Sequence, residues 1–341
     1  MKTGVFLILL GLLTTIAEHP RAATFVVTNA NDIGPGSLRD AINNANATVG
    51  NDLIAFNIPG SGPFTIVPAT PLPFLTDKDG VVIDGLTQPG ATAGVTPPST
   101  ARLMIEISGY TAGLIANGLV LHSSNNVIQG LVINRFSNNG ILIQGGNLLE
   151  ANNNFIYCNF IGTDTSGTID LGNGTSLASL YAGVYITAGG PGDAIAYNNV
   201  VDACLVSGNY AEGVAIVGAV MPGDVYQNRV NNCYIGTDKY GLVGIGNDHE
   251  GVCICEGTHD NVVEYSVICG NKYDGVGIQG YPPDEIYTVR NIIYENRIGI
   301  NVMGQSLGNV IHGVSVGIYG PSYWGFARYN TIGPNNTIAY N

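Results

Sequence analysis

Basic residues are scarce in this chain: 12 Lys and Arg, nowhere clustered, against 25 Asp and Glu in 341 positions. The net charge is -13, and no basic stripe is available to track a phosphate backbone, so a nucleic-acid partner is not expected. Charge of either sign is sparse at 11%, while 45% of residues are apolar, a balance that argues against disorder. Long apolar runs are also missing. The one that stands out, Val5 to Ile16, is shorter than the ~20 residues a bilayer span requires. With Lys2 before it and Thr15-Ile16-Ala17 at its end, residues 1–17 read as a secretory leader, with cleavage as late as residue 23 the alternative. Secretion or display at the cell surface is therefore expected, with no transmembrane segment beyond the leader.

Glycine and asparagine are abundant instead. The 48 glycines are about twice the usual share of roughly 7%, without the every-third spacing of collagen. Both residue types tolerate the left-handed backbone of tight turns, so the composition suits short strands joined by corners. A repeat gives that composition an order. Asn154, Asn199, Asn228, Asn261 and Asn291 form one column. Ten positions on, Asp164, Asn209, Asp238, Asn271 and Asn301 form a second. Between the columns, the positions two and seven residues on stay apolar, as in Ile156 and Ile161 or Val230 and Ile235. A fixed ten-residue segment joined by loops of variable length is what stacked coils of a solenoid require. A further register, Gly followed by alternating apolar residues, falls between the asparagine units at Gly140, Gly183, Gly213, Gly251 and Gly275. Each coil thus carries at least two strands.

Upstream, Thr24 to Thr28 reads as a strand and Ser37 opens the one convincing helix, with Leu38, Ala41, Ile42 and Ala45 on one face and Ser37/Asp40 as a capping box. This helix is expected to plug the open end of the solenoid, whose edge strands would otherwise be bare. The expected organisation is a leader (1–17), an N-terminal strand and helix cap (24–62), and a parallel β-helix (63–341). The final Asn336-Thr337-Ile338 reads as the opening of another rung of a longer chain.

The segments Val27-Thr28-Asn29-Ala30-Asn31-Asp32 and Gly36-Ser37-Leu38-Arg39-Asp40-Ala41-Ile42 resemble the start of secreted microbial β-helix repeat proteins of the pectate-lyase-like superfamily. Val82-Ile83-Asp84-Gly85-Leu86-Thr87-Gln88-Pro89-Gly90 and the Ile-Gly-Thr-Asp units at Ile161 and Ile235 resemble the same group. The resemblance implies an all-β, right-handed parallel β-helix. It implies little about activity, because that fold hosts lyases, hydrolases, esterases, adhesins and tailspikes.

Candidate site residues follow from register. Glu212, Glu250 and Asp274 each precede the Gly of the third register, so stacking at ~4.8 Å per coil should bring their carboxylates close. Solvation in a turn or a bound cation such as calcium would relieve their repulsion. Asp248, His249 and Asp260 enrich the same stretch in polar groups, and Tyr185 should face outward, where an aromatic can stack on sugar rings. A lyase of the pectate-lyase-like kind would need a basic residue beside a calcium cluster, and no full set can be placed. The Arg-x-Lys pattern of its hydrolases is absent. The reading is a non-catalytic, carbohydrate- or cell-binding stalk with no required cofactor. The alternative is a calcium-assisted polysaccharide lyase or related carbohydrate-active enzyme. Among six cysteines, Cys204 and Cys233 share a column and should be neighbours, bonded or not.

Overall fold

The computed structural model describes residues 22–146, 150–175, 181–189, 194–218, 223–280, 287–318 and 326–341. The leader segment lies outside these residues. The chain winds as a right-handed parallel β-helix, the sense that parallel crossovers adopt almost without exception. Three parallel sheets run its length. The first has ten strands, from Thr24–Val27 and Asp52–Phe56 to Ile292–Tyr294 and Thr331–Ile332. The second has nine, from Phe64–Ile66 to Thr337–Ile338. The third has seven, from Leu119–Leu121 to Val314–Ile318. Seven coils contribute one short strand to each of the three sheets, and the strands pair in the register expected from sequence, with Ile156 beside Val201 and Val230 beside Val263.

Strand alternation puts one valine or isoleucine per strand into a continuous interior. Ile83, Ile128, Ile156, Val201, Val230, Val263 and Ile293 form one such file, all fully buried. Each contributes roughly 1.5–3 kcal/mol of burial. The helix Leu38–Ala47 buries Leu38, Ala41, Ile42 and Ala45 in the same core as Val27 and Ile54, and the Ser37 hydroxyl accepts from the Asp40 amide at 3.2 Å. No helix among the described residues is long and apolar enough to cross a membrane.

Buried asparagine ladders hold the corners. In the first, Asn126, Asn154, Asn199, Asn228, Asn261, Asn291 and Asn330 follow one another, each Nδ2 donating to the next Oδ1 at 2.8–3.1 Å. Each of those oxygens also accepts the preceding asparagine's backbone amide, so the polar groups satisfy one another inside the core. The residue before each rung is left-handed (Asn153, Asn198, Gln227, Asp260, Arg290). That conformation costs a non-glycine residue about 1–2 kcal/mol, but it turns the corner and aims the next side chain inward.

The second ladder corrects the sequence reading. It runs Asn173, Asn209, Asn247, Asn271, Asn309, Asn341 at 2.8–3.0 Å, so only Asn209 and Asn271 of the expected column belong to it. Alternate coils insert an excursion before their ladder residue: Asn173 follows Asn154 by 19 positions, whereas Asn209 follows Asn199 by ten. Asp164, Asp238 and Asn301 instead open these excursions, accepting from the backbone amides of Ile169, Val243 and Gln305. The excursions stack on one another across the intervening coil, Lys239 N on Gly167 O at 2.8 Å and Val302 N on Gly241 O at 3.1 Å.

Cys204 and Cys233 are neighbours in a third inward column with Asn159, Ser266 and Asn296, and both thiols are free. Burial pushes the Cys204 thiol well up.

Candidate functional site

The corner between the second and third sheets collects most of the polar side chains singled out above. Immediately after Asn209, Asn247 and Asn271 come Tyr210, Asp248 and Lys272; one residue on come Ala211, His249 and Tyr273; then Glu212, Glu250 and Asp274, in step with His312 of the next coil. Because the ladder fixes the asparagines, these residues form three parallel files along one rim. Lys272 Nζ pairs with Asp248 Oδ1, which raises the lysine's pKa. The His249 and Tyr273 rings stack at 5.9 Å.

Glu212, His249 and Glu250 converge, with one ligand atom from each lying within 4.8 Å of the others. His249 Nδ1 is 3.7 Å from Glu212 Oε1 and 4.0 Å from Glu250 Oε2. Glu250 is 2% exposed and lies across Gly277 of the following coil, where a Cβ would meet the glutamate Cγ at 3.2 Å. Its Oε1 accepts from Gln279 Nε2 at 2.8 Å. Burial raises the Glu250 pKa, and the facing Glu212 carboxylate raises that of His249. Asp274 stands apart from this group, bound to His312 Nδ1 at 2.8 Å and to the Ser315 hydroxyl. The three carboxylates expected in one cluster are thus split, and His249 takes the third place.

No family model matches the sequence, and neither does any curated protein. Solved structures do. The A-module of mannuronan C-5 epimerase AlgE4 from Azotobacter vinelandii is 12% identical, with 93% of this chain and 100% of that one covered and a TM-score of 0.41. Pectate lyase Pel9A is 16% identical over 93% and 80%, with a TM-score of 0.39. ORF18 of Geobacillus virus E2 is 14% identical over 87% of this chain, which spans only 62% of it, with a TM-score of 0.34. The parallel β-helix itself stands on the three parallel sheets of this chain.

The other sequence candidates fall elsewhere. Tyr185 is on the outer face of the third sheet as expected, but half-buried against Ala182, Ala215, Val217 and Cys255. Asp260 sits at a different corner, the one entering the first sheet. There it binds Arg290 Nη2 at 2.7 Å and His259 Nδ1 at 2.7 Å, while His259 Nε2 meets Asp224 at 2.8 Å. The guanidinium, then His259, hold the Asp260 carboxyl down at about 2.

One feature escaped the sequence reading. The rim runs on into an open hollow of about 730 Å³, bordered by Tyr110, Arg135, Phe136, Asp170 and Tyr210. Tyr110 and Tyr210 are 79% and 48% exposed. Tyr110, Arg135 and Phe136 precede the Asn154 unit and Asp170 lies in an excursion, so the repeat read from sequence did not mark them.

Proposed function

We propose that this protein is a carbohydrate-binding β-helix module whose rim between the second and third sheets, together with the adjoining hollow, holds a polysaccharide chain. The observation that carries the reading is the file of exposed tyrosines and polar groups on one edge: Tyr110, Tyr210 and Tyr273 alongside Arg135, Asp248–Lys272 and His249. Aromatic faces with polar tips beside fixed donors and acceptors suit sugar rings. The rim spans about five coil steps, roughly 25 Å at ~4.8 Å each, room for several sugars. Its surplus of carboxylates disfavours uronate-rich chains unless a cation bridges them. The leader read at the N-terminus supports export to where such polymers occur.

The test is binding of neutral and acidic oligosaccharides followed by calorimetry, with Tyr210→Ala and Tyr273→Ala as variants. Each variant should weaken binding by about two- to tenfold, the loss of a ~0.5–1.5 kcal/mol aromatic contact. Unchanged affinity in both would remove the rim from the site.

The second reading is a polysaccharide-degrading enzyme, calcium-assisted or not, and it draws on the convergence of Glu212, His249 and Glu250. Release of reducing ends or of unsaturated products from a polysaccharide panel, lost in Glu212→Gln, would favour it over the module.

A further inference from the structure

We propose that Glu212, His249 and Glu250 form a binding site for a divalent ion of the zinc class, which goes beyond the glycan-binding reading and stands without it. Two successive coils supply the three ligands, and their donor atoms face one gap. Neither the 3.7 Å nor the 4.0 Å separation is a hydrogen bond. Ligand atoms about 2.1 Å from a tetrahedral ion lie about 3.4 Å apart, so the two imidazole–carboxylate edges close by about 0.3 and 0.6 Å and the carboxylate–carboxylate edge, within 4.8 Å, by about 1.4 Å at most.

The buried carboxylate gives an independent indication. Glu250 is 2% exposed, and Gln279 anchors one of its oxygens at 2.8 Å. The glutamate's own backbone amide also bonds its carboxylate, and Oε2 lies 4.0 Å from His249 Nδ1 with no hydrogen bond from another described residue. An outer partner that orients a ligating carboxylate is the usual support of a metal site. Gly277 leaves the room in which Glu250 lies.

The donor set decides the ion. Calcium takes six to eight oxygens. Here one ligand is an imidazole, and Asp274, which would have added oxygens, is engaged by His312 and Ser315. One nitrogen with two carboxylates suits zinc or a similar ion and leaves a fourth position open.

Calorimetric titration of chelator-treated full chain with zinc chloride and with calcium chloride tests the site. One zinc per chain is expected, with calcium bound far more weakly. His249→Ala, whose side chain is 36% exposed and whose loss should leave the fold intact by circular dichroism, is expected to weaken zinc by more than about 100-fold, beyond the cost of losing a mere supporting group. Glu212→Gln should act likewise, while His259→Ala and Asp274→Asn should change nothing. Absence of zinc binding, calcium binding of equal strength, or zinc binding that survives His249→Ala would each overturn the proposal. Glycan binding by metal-free protein bears on the rim reading alone.

Discussion

Replacing Asn228 with alanine probes the first ladder at its centre. Asn228 is fully buried. Its Oδ1 accepts from the Asn199 backbone amide at 3.0 Å and from Asn199 Nδ2 at 2.9 Å. Its Nδ2 donates to Ala196 O and to Asn261 Oδ1, both at 3.1 Å. Alanine leaves the Asn199 backbone N–H with no acceptor in a dry interior, at about 1–3 kcal/mol. The remaining losses are partial: Asn199 Nδ2 keeps Ala151 O at 2.9 Å and Asn261 Oδ1 keeps the Asn228 amide at 2.9 Å. Adding about 1 kcal/mol for each weakened group, the expected destabilisation is about 3–5 kcal/mol. Urea unfolding followed by circular dichroism should show a lower midpoint at unchanged slope. Asn57→Ala, an exposed asparagine, should stay within about 0.5 kcal/mol of the parent. A loss below about 1 kcal/mol at Asn228 would refute the claim that the ladder bonds hold the corners.

Three further outcomes follow from particular contacts. Gly277→Val should displace the Glu250 carboxylate that lies against this glycine and lower zinc affinity as far as His249→Ala does, read by the same calorimetry. The Asp260 carboxyl titrates at about 2 beside Arg290, below the ~3.9 of an unfolded chain. Its contribution to stability is therefore complete above pH 4 and is lost as pH falls through 2, so the stability gap between the parent and Arg290→Ala should be constant from pH 7 to 4 and close below it. Cys204 and Cys233 are buried and the Cys204 thiol is raised by that burial, so neither should react with a thiol reagent at neutral pH until the chain is unfolded. Labelling of either in the native state would contradict their place in the core.

The fold was largely legible because the solenoid repeats one local rule. An asparagine at a corner and apolar residues two and seven positions on give the same strand whatever loop intervenes. The capped helix was legible for the same reason, since Ser37, Asp40 and the 3.6-residue spacing are local. The second column misled where a coincidence of spacing met an insertion. Asp164, Asp238 and Asn301 sit at the same offset as true rungs, yet the chain has already left the coil, and only the return at Asn173, Asn247 and Asn309 restores the ladder. The rim was half legible. Register placed Glu212 and Glu250 together, but which way Asp274 turns depends on His312 and Ser315, one coil further on. The left-handed corner residues (Gln227, Arg290, Tyr265) carry no glycine or asparagine signal, because the ladder bonds, not propensity, hold them there.

Where a sugar chain binds is the decisive measurement. Backbone and side-chain NMR shift mapping of the protein with an oligosaccharide that binds should place the perturbed signals at Tyr210, Asp248, Lys272 and Tyr273 and leave the Asp224–His259–Asp260–Arg290 corner unchanged. Perturbation confined to that other corner, or to the outer face of the first sheet, would contradict it.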